Sequence, residues 1–371
     1  MPGLYLDANA TEPLRPEARA AVLAALDLVG NPSSVHADGR AARRLLEFSR
    51  AQIATAFSAR AQDVVLMGGG TEANAAAVHA LGRGRAVLAG ATEHPAILAA
   101  APGATSIPVL ADGQLDLAAL DQLLAAAGPA LVCVMAANNE TGVLHPLAEV
   151  LALCRRHGAL LHVDAVQAAG RVALDFTGLG AETMALSGHK LGGPKGAGAL
   201  LLRPGLDLAP LLTGGGQERG RRGGTEALPA IAGMGAAAAA ARPEAATRLA
   251  ALRDAIEAGS GLAVAGQGAP RLPNTTSLIF PGLPAETLVI ALDLEGMRVS
   301  AGSACSSGKV ARSHVLAAMG LGEAAGHAIR VSLPWDAPAD APARFLAALA
   351  RIGARQDRAG GASTPRVAAP H

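Results

Sequence analysis

Aromatic side chains are nearly absent from this 371-residue chain: five Phe, one Tyr and one Trp make up 2% of it. The net charge is +1, and no basic stripe is interleaved with aromatics. Bases therefore find no stacking platform and phosphate backbones no positive track, which argues against a nucleic-acid partner. Cysteine is also scarce. The three present, Cys133, Cys154 and Cys305, are odd in number and widely spaced, against both a disulfide framework and a four-ligand metal site. No apolar run reaches the ~18 residues that a membrane-spanning helix needs, because Arg, Asp or Pro break the alanine-rich stretches. The opening Met-Pro-Gly-Leu-Tyr-Leu-Asp has no basic segment followed by an apolar one, so a soluble cytoplasmic protein is the expectation, with no membrane contact. Lysine is the most telling shortage. Of 31 basic residues only Lys190, Lys195 and Lys309 are lysine. Arginine neither forms a Schiff base nor deprotonates, whereas lysine does both when its pKa is lowered.

What is present is a large apolar fraction, 51%, enough for two or three domain-sized units. Helices are expected from Pro16 to near Gly30 and from Ala37 to Phe57. Strand and helix then alternate. Val64–Met67 reads as a strand followed by Gly68-Gly69-Gly70-Thr71, and a glycine turn opening a helix leaves N–H groups free to hold a phosphate. Further strands end at Thr92-Glu93-His94, Asn138-Asn139-Glu140, His162-Val163-Asp164 and Ser187-Gly188-His189-Lys190. Strands separated by helices of 10–15 residues indicate a mostly parallel sheet, whose carboxyl edge is where ligands bind. The tips at Thr71, His94, Asn139, Asp164 with Gln167, and Ser187 to Lys190 would then converge on one site. An amine at Lys190 and an acid at Asp164 on one sheet edge are what pyridoxal phosphate requires: one group holds its aldehyde and the other keeps its ring nitrogen protonated.

Beyond Leu202, the segment Gly214 to Thr225 is too rich in glycine for regular structure, and its arginines suit anions or a subunit interface. A helical region from Thr225 to Ala258, interrupted at Pro243, leads to a second unit. There strands are expected at Thr276–Phe280, Val299-Ser300 and Ile329–Ser332, and helices at Pro284–Glu295, Ser313–Met319 and Pro338–Arg355. Cys133 and Cys154 sit on apolar faces and read as core. Cys305 lies among small flexible residues with Lys309 and Arg312 nearby, a setting that favours a thiolate nucleophile able to travel.

YLDANAT, GGGTEAN, TEHPAI, NNETG, HVDAVQ, SGHKLGGPKG, GGGQERGRRGGT, SAGSACSSGK and AIRVSL, in this order, resemble the cysteine desulfurases of NifS/IscS type. These are fold-type I pyridoxal-phosphate enzymes related to the class V aminotransferases. The resemblance spans about residues 4 to 355. It implies an α/β fold with a mostly parallel seven-stranded sheet in a large domain and a smaller α+β C-terminal domain. It also assigns roles. Lys190 would carry the cofactor, Asp164 would face the pyridine nitrogen, and Gln167 with Asn139 would face the phenolic oxygen. His94 would stack on the ring; Gly70, Thr71, Ser187 and His189 would hold the phosphate. Thr225 would reach the phosphate of a neighbouring subunit, which implies a homodimer. Arg330, with Asn139, would bind the substrate carboxylate, and Cys305 would take the sulfur of L-cysteine and pass it to an acceptor such as an iron–sulfur scaffold protein. Domain boundaries follow: an N-terminal arm over 1–15 that joins the small domain, a large domain over 16–255, a small domain over 256–355 carrying the Cys305 loop, and a disordered tail over 356–371.

Three places depart from the family pattern. Gly68 and Gly223 stand where serines are frequent, and Leu333-Pro334-Trp335 replaces a glycine after the arginine strand, which raises the question of whether Pro334 disturbs Arg330. Selenocysteine lyase, another aminotransferase of the same family, and a non-catalytic persulfide carrier using only Cys305 are the alternative readings. The motifs leave open which acceptor takes the sulfur, whether the role is housekeeping or nitrogen fixation, and whether cysteine or selenocysteine is preferred.

Overall fold

The computed structural model describes residues 3–242, 246–302 and 312–360. Its centre is a seven-stranded sheet in the order Val64–Met67, Gly198–Leu202, Thr183–Ser187, Leu160–Asp164, Ala130–Met135, Ala86–Gly90, Thr105–Ile107. Gly198–Leu202 runs antiparallel to both of its neighbours, and all the other pairings are parallel. The inner strands are near-continuous apolar runs because helices cover both faces. Alternation sorts their side chains between two layers: Val132, Val134, Met184 and Leu186 pack into the main cluster, while Leu131, Cys133 and Ala185 face the opposite helices. Each fully buried Val, Leu or Ile contributes about 1.5–3 kcal/mol.

The helix Leu228–Ala240 lies against Pro16–Leu26 and Ala37–Ala56. Its small residues set that spacing. A methyl group at Gly235 would come within 2.9 Å of Ser49 Cα, and one at Gly233 within 2.6 Å of Val22.

The second unit carries an antiparallel sheet in the order Ser300–Ala301, Ala328–Ser332, Thr275–Ile279, Ala263–Val264. The expected strand at Val299-Ser300 is in fact two short ones that split at Val299. Met297–Arg298 pairs in parallel with Leu4–Tyr5 of the N-terminal arm, and Ser300–Ala301 turns to join Ala328–Ser332. The arm's Leu4 and Leu6 pack with Leu288, Phe345 and Leu349 in this unit's core. The last helix is longer than the sequence pattern suggests: it runs Ala341–Gly360 rather than fraying after Arg355. Glu295 accepts from both Arg351 and Arg355 at 2.7 Å, which ties the final turns down.

The glycine-rich segment after Leu202 is irregular but anchored. Glu218 and Arg219 take left-handed backbone angles, φ 50° and 61°, which non-glycine residues adopt at a cost. The buried Glu218 carboxylate accepts two hydrogen bonds from Arg50, at 2.6 and 2.7 Å, and a third from the Leu66 N–H at 2.8 Å. Glu218→Ala would remove the buried carboxylate from Arg50 and leave it only the half-exposed Glu47, at 3.0 Å, and the Val64 carbonyl. Losing hydrogen bonds to a charged group costs about 1.5–3 kcal/mol, and a denaturation midpoint should fall accordingly, with Glu218→Gln intermediate.

Candidate active site

The carboxyl ends of the parallel strands open on a cavity of about 450 Å³. Gly70, Thr71, His94, Asn139 and Asp164 line it, as do Gln167, Ser187, His189, Lys190 and Arg330. Thr225 is exposed on the glycine-rich segment and does not line it. Cys305 and Lys309 lie outside the described residues; Gly302, three residues before Cys305, is part of the cavity wall.

One end of the cavity is shaped for a phosphate. The helix Gly70–Leu81 begins there, and its first N–H groups have no partner within the helix. A Cβ at Gly70 would sit 2.7 Å from Val166 Cγ2 and 3.3 Å from Ser187 Cβ, so only glycine allows the backbone this close. Glu72, in the first turn, would repel a phosphate, but Arg222 pairs with it at 2.8 Å and the Gly68 N–H donates to it at 2.7 Å. A side chain at Gly68 would begin 2.7 Å from the same carboxylate, and one at Gly223 would begin 2.5 Å from the Gly214 nitrogen. Both departures from the family's serines are thus packed into their surroundings.

At the other end lies Asp164, the last residue of its strand and 5% exposed. Its oxygens accept from Asn74 Nδ2 at 2.7 Å and the Val166 N–H at 2.9 Å. Burial pushes its pKa up, against these hydrogen bonds and the positive charge of Lys190. Behind it, Asn74 Oδ1 meets His162 Nε2 at 2.9 Å, and His162 Nδ1 meets the Thr183 hydroxyl at 2.8 Å. Because the Asn74 amide donates to Asp164, its carbonyl must accept, so His162 carries its proton on Nε2. Burial lowers the His162 pKa to about 3, which keeps the ring neutral. Neither Asn74 nor His162 was singled out from sequence; the available signals were a lone asparagine among the alanines of a buried helix face and a histidine inside an apolar strand.

Lys190 follows the neighbouring strand tip, and its Nζ donates to the carbonyls of Asn9 and Ala10, the latter at 2.9 Å. His94 caps the helix Pro95–Ala100, its Nδ1 accepting from the Ala96 N–H at 3.1 Å. Burial outweighs the Asp164 charge and lowers the His94 pKa. His189 is likewise lowered, to about 4, by burial and then by Lys190. Arg330 lies in regular pairing opposite Ser277 and Ser300. It donates to Asp7 at 2.7 Å and to the Asn139 carbonyl at 3.1 Å. Pro334 follows the end of that strand and leaves its register intact. A lysine, a buried acid and a glycine-walled helix start around one cavity fit a pyridine-ring phosphate that bears an aldehyde.

The family model described as aminotransferase class-V matches residues 4–340. The chain belongs to that family. Among its relatives, a cysteine desulfurase of Cereibacter sphaeroides is 42% identical over 365 residues, which cover 92% of this chain and 93% of that one. An IscS-like cysteine desulfurase of Mycobacterium tuberculosis is 38% identical over 356 residues, covering 89% and 91%. Among solved structures, a NifS-like protein from Rickettsia africae superposes with a TM-score of 0.87 at 33% identity, covering 95% of this chain and 99% of the other. The resemblance and the fold expected from the motifs are borne out. Among the described residues no helix is long and apolar enough to cross a membrane.

Glu93, beside this class-V site, is fully buried. One carboxylate oxygen accepts from the Met135 N–H at 2.7 Å and the other has no partner among the described residues. Burial, then the Asp164 charge, raises its pKa well above the ordinary value. A raised folded-state pKa means that the folded chain keeps a proton the unfolded chain has lost, so this group's contribution is full below about pH 4 and declines as pH rises toward the folded pKa. Glu93→Gln is therefore expected to gain on the wild type in thermal midpoint as pH is raised from about 4. A difference that stays constant with pH would show that Glu93 is ionised in the folded protein.

Proposed function

We propose that this chain is a pyridoxal-phosphate-dependent cysteine desulfurase that converts L-cysteine to L-alanine and delivers the sulfur through Cys305. The observation that carries the reading is the convergence of Lys190, Asp164 and Arg330 on one cavity, in a chain 42% identical to a protein named cysteine desulfurase. When bound, the cofactor supplies an electron sink for the negative charge that develops at the substrate Cα. Lys190 would hold the aldehyde carbon and take the Cα proton on Nζ. Asp164 would keep the ring nitrogen protonated, supported from behind by Asn74 and His162. His94 would stack on the ring, and Gln167 with Asn139 would face its phenolic oxygen. Gly70, Thr71, Ser187 and His189 would bind the phosphate, and Arg330 the substrate carboxylate. The Cys305 thiolate would attack the substrate sulfur; an S–S bond forms, the C–S pair goes to carbon, and a proton completes alanine. Gly302, three positions before Cys305 in the chain, lines the same cavity, which supports this role.

A homodimer in the cytoplasm completes the proposal, with Thr225 serving the partner's phosphate. Thr225 is exposed away from its own cavity, and the nearby Leu211 and Leu212 are exposed as well, in keeping with burial against a second copy. An iron–sulfur scaffold is the expected sulfur acceptor. The test is an absorbance spectrum of the purified protein before and after L-cysteine, with sulfide and alanine assayed together. A visible absorbance band that shifts with cysteine, and release of both products, is expected. No band after reconstitution with pyridoxal phosphate would overturn the assignment.

A further inference from the structure

Gln167 touches two partners that together admit only one orientation of its amide. Arg171 can only donate, and its Nη1 lies 2.6 Å from Gln167 Oε1 and 2.9 Å from the Gln167 backbone carbonyl. The Asn9 carbonyl can only accept, and it takes a hydrogen from Gln167 Nε2 at 3.0 Å. Both contacts set the amide carbonyl on Arg171, which does not line the cavity, and the NH2 edge on Asn9, which does. Asn9 takes one of the two hydrogens on Nε2, which leaves the other for a ligand.

Arg171 is itself held without latitude. It is 7% exposed, and its Nη2 donates to the Ala8 carbonyl at 3.2 Å and to the Glu12 carboxylate at 3.0 Å. Glu12 accepts in addition from the Trp335 N–H at 2.6 Å, and its own N–H donates to the His189 carbonyl at 2.9 Å. The planar fork is thus shared between the N-terminal arm on one side and Gln167 on the other. A buried ion pair of this kind adds little net stability, while the direction it imposes on Gln167 is single-valued.

We propose that Arg171 is a positioning residue that fixes the Gln167 amide so that its NH2, not its carbonyl, faces the phenolic-oxygen side of the cofactor. This rests on the reading of Gln167 as the partner of that oxygen. A donor there shares the oxygen's negative charge and loosens the neighbouring proton at Lys190 Nζ. With Arg171 gone only the Asn9 carbonyl still holds the amide, so its NH2 is free to tilt off the oxygen and the proton is held more tightly. Lysine cannot replace the fork, because a point-charge ammonium cannot bridge Glu12 and Gln167 in one plane.

The experiment titrates the visible band of the pyridoxal-phosphate-loaded enzyme and measures the affinity of the apoprotein for pyridoxal phosphate. Arg171→Met is paired with Glu12→Gln so that no charge is left buried alone, and Arg171→Lys serves as a second variant that keeps the pair. Asp7, Asp164, His94, His189 and Arg330, the charged and titratable groups that also line the cavity with Lys190, are the same in every variant. Expected is a rise in the pH midpoint of about one unit, the size of one hydrogen bond to a charged oxygen, and binding weaker by about tenfold. Gln167→Met should match this, and adding the Arg171 change to it should shift nothing further. An unmoved midpoint in both Arg171 variants, with Gln167→Met shifted, overturns the role of Arg171. An unmoved midpoint in Gln167→Met overturns the reading of Gln167 and the proposal with it.

Discussion

Lys190→Ala is expected to abolish the visible cofactor band and to lower sulfide release by about a thousandfold or more, because in the proposed reading it would remove both the covalent attachment and a proton-transfer group. Lys190→Arg should lose as much. A guanidinium keeps the charge and can still donate to the Asn9 and Ala10 carbonyls, but it neither forms the carbon–nitrogen bond nor gives up its proton. No other lysine is placed to stand in among the described residues. Lys195 is exposed beyond Gly192, Gly193 and Pro194 and does not line the cavity. A band that survives in Lys190→Arg would place the attachment on a different amine.

Much of this site is legible in the sequence because the fold does the assembling. A parallel sheet brings every strand's carboxyl end to one edge, so Thr71, His94, Asn139, Asp164 and Lys190 need only be read as strand tips to be read as neighbours. The same logic misses whatever reaches the edge from elsewhere. Asp7, Asn9 and Glu12 enter on the N-terminal arm, and Glu12 meets Arg171 across 159 positions of chain. No local pattern encodes such a contact. The groups behind Asp164 escape for a related reason: Asn74 and His162 are polar interruptions in apolar faces, and only their mutual hydrogen bond separates a network from two unfavourable burials. The edge strand Thr105–Ile107 is too short for its period to show. The last helix runs on to Gly360, and its Arg351 and Arg355 pair with Glu295 across more than fifty positions of chain, a contact no local pattern shows.

The arm also changes what the cavity is. In the proposed reading Arg330 would bind a substrate carboxylate, and it would then share its guanidinium with Asp7 from the arm, which it meets at 2.7 Å. The Asn9 carbonyl accepts from both Lys190 and Gln167. Arm, lysine and glutamine are therefore one hydrogen-bonded unit, and the large-domain sheet alone does not make the site.

Cys305→Ala is expected to separate binding from sulfur transfer completely. The variant should still show the cofactor band and its shift on adding L-cysteine, because Lys190, Asp164 and Arg330 are untouched, but sulfide release should fall to background. The two other cysteines cannot take over. Cys133 is fully buried within the strand Ala130–Met135, and burial raises its thiol well above the ordinary value. Cys154 is on the buried face of the helix Leu147–His157 and its thiol is pushed up to about 12. A free thiol with a pKa of about 8.5 has a few per cent of thiolate at neutral pH, whereas these two have essentially none, and the thiolate is the nucleophile. Cys305→Ser should behave like the alanine variant, since a hydroxyl does not accept sulfur in this way. Sulfide released at wild-type rate by either variant would show that the chemistry does not pass through Cys305. Loss of sulfide together with retained exchange between alanine and pyruvate would leave an intact class-V site whose one missing part is the acceptor thiol.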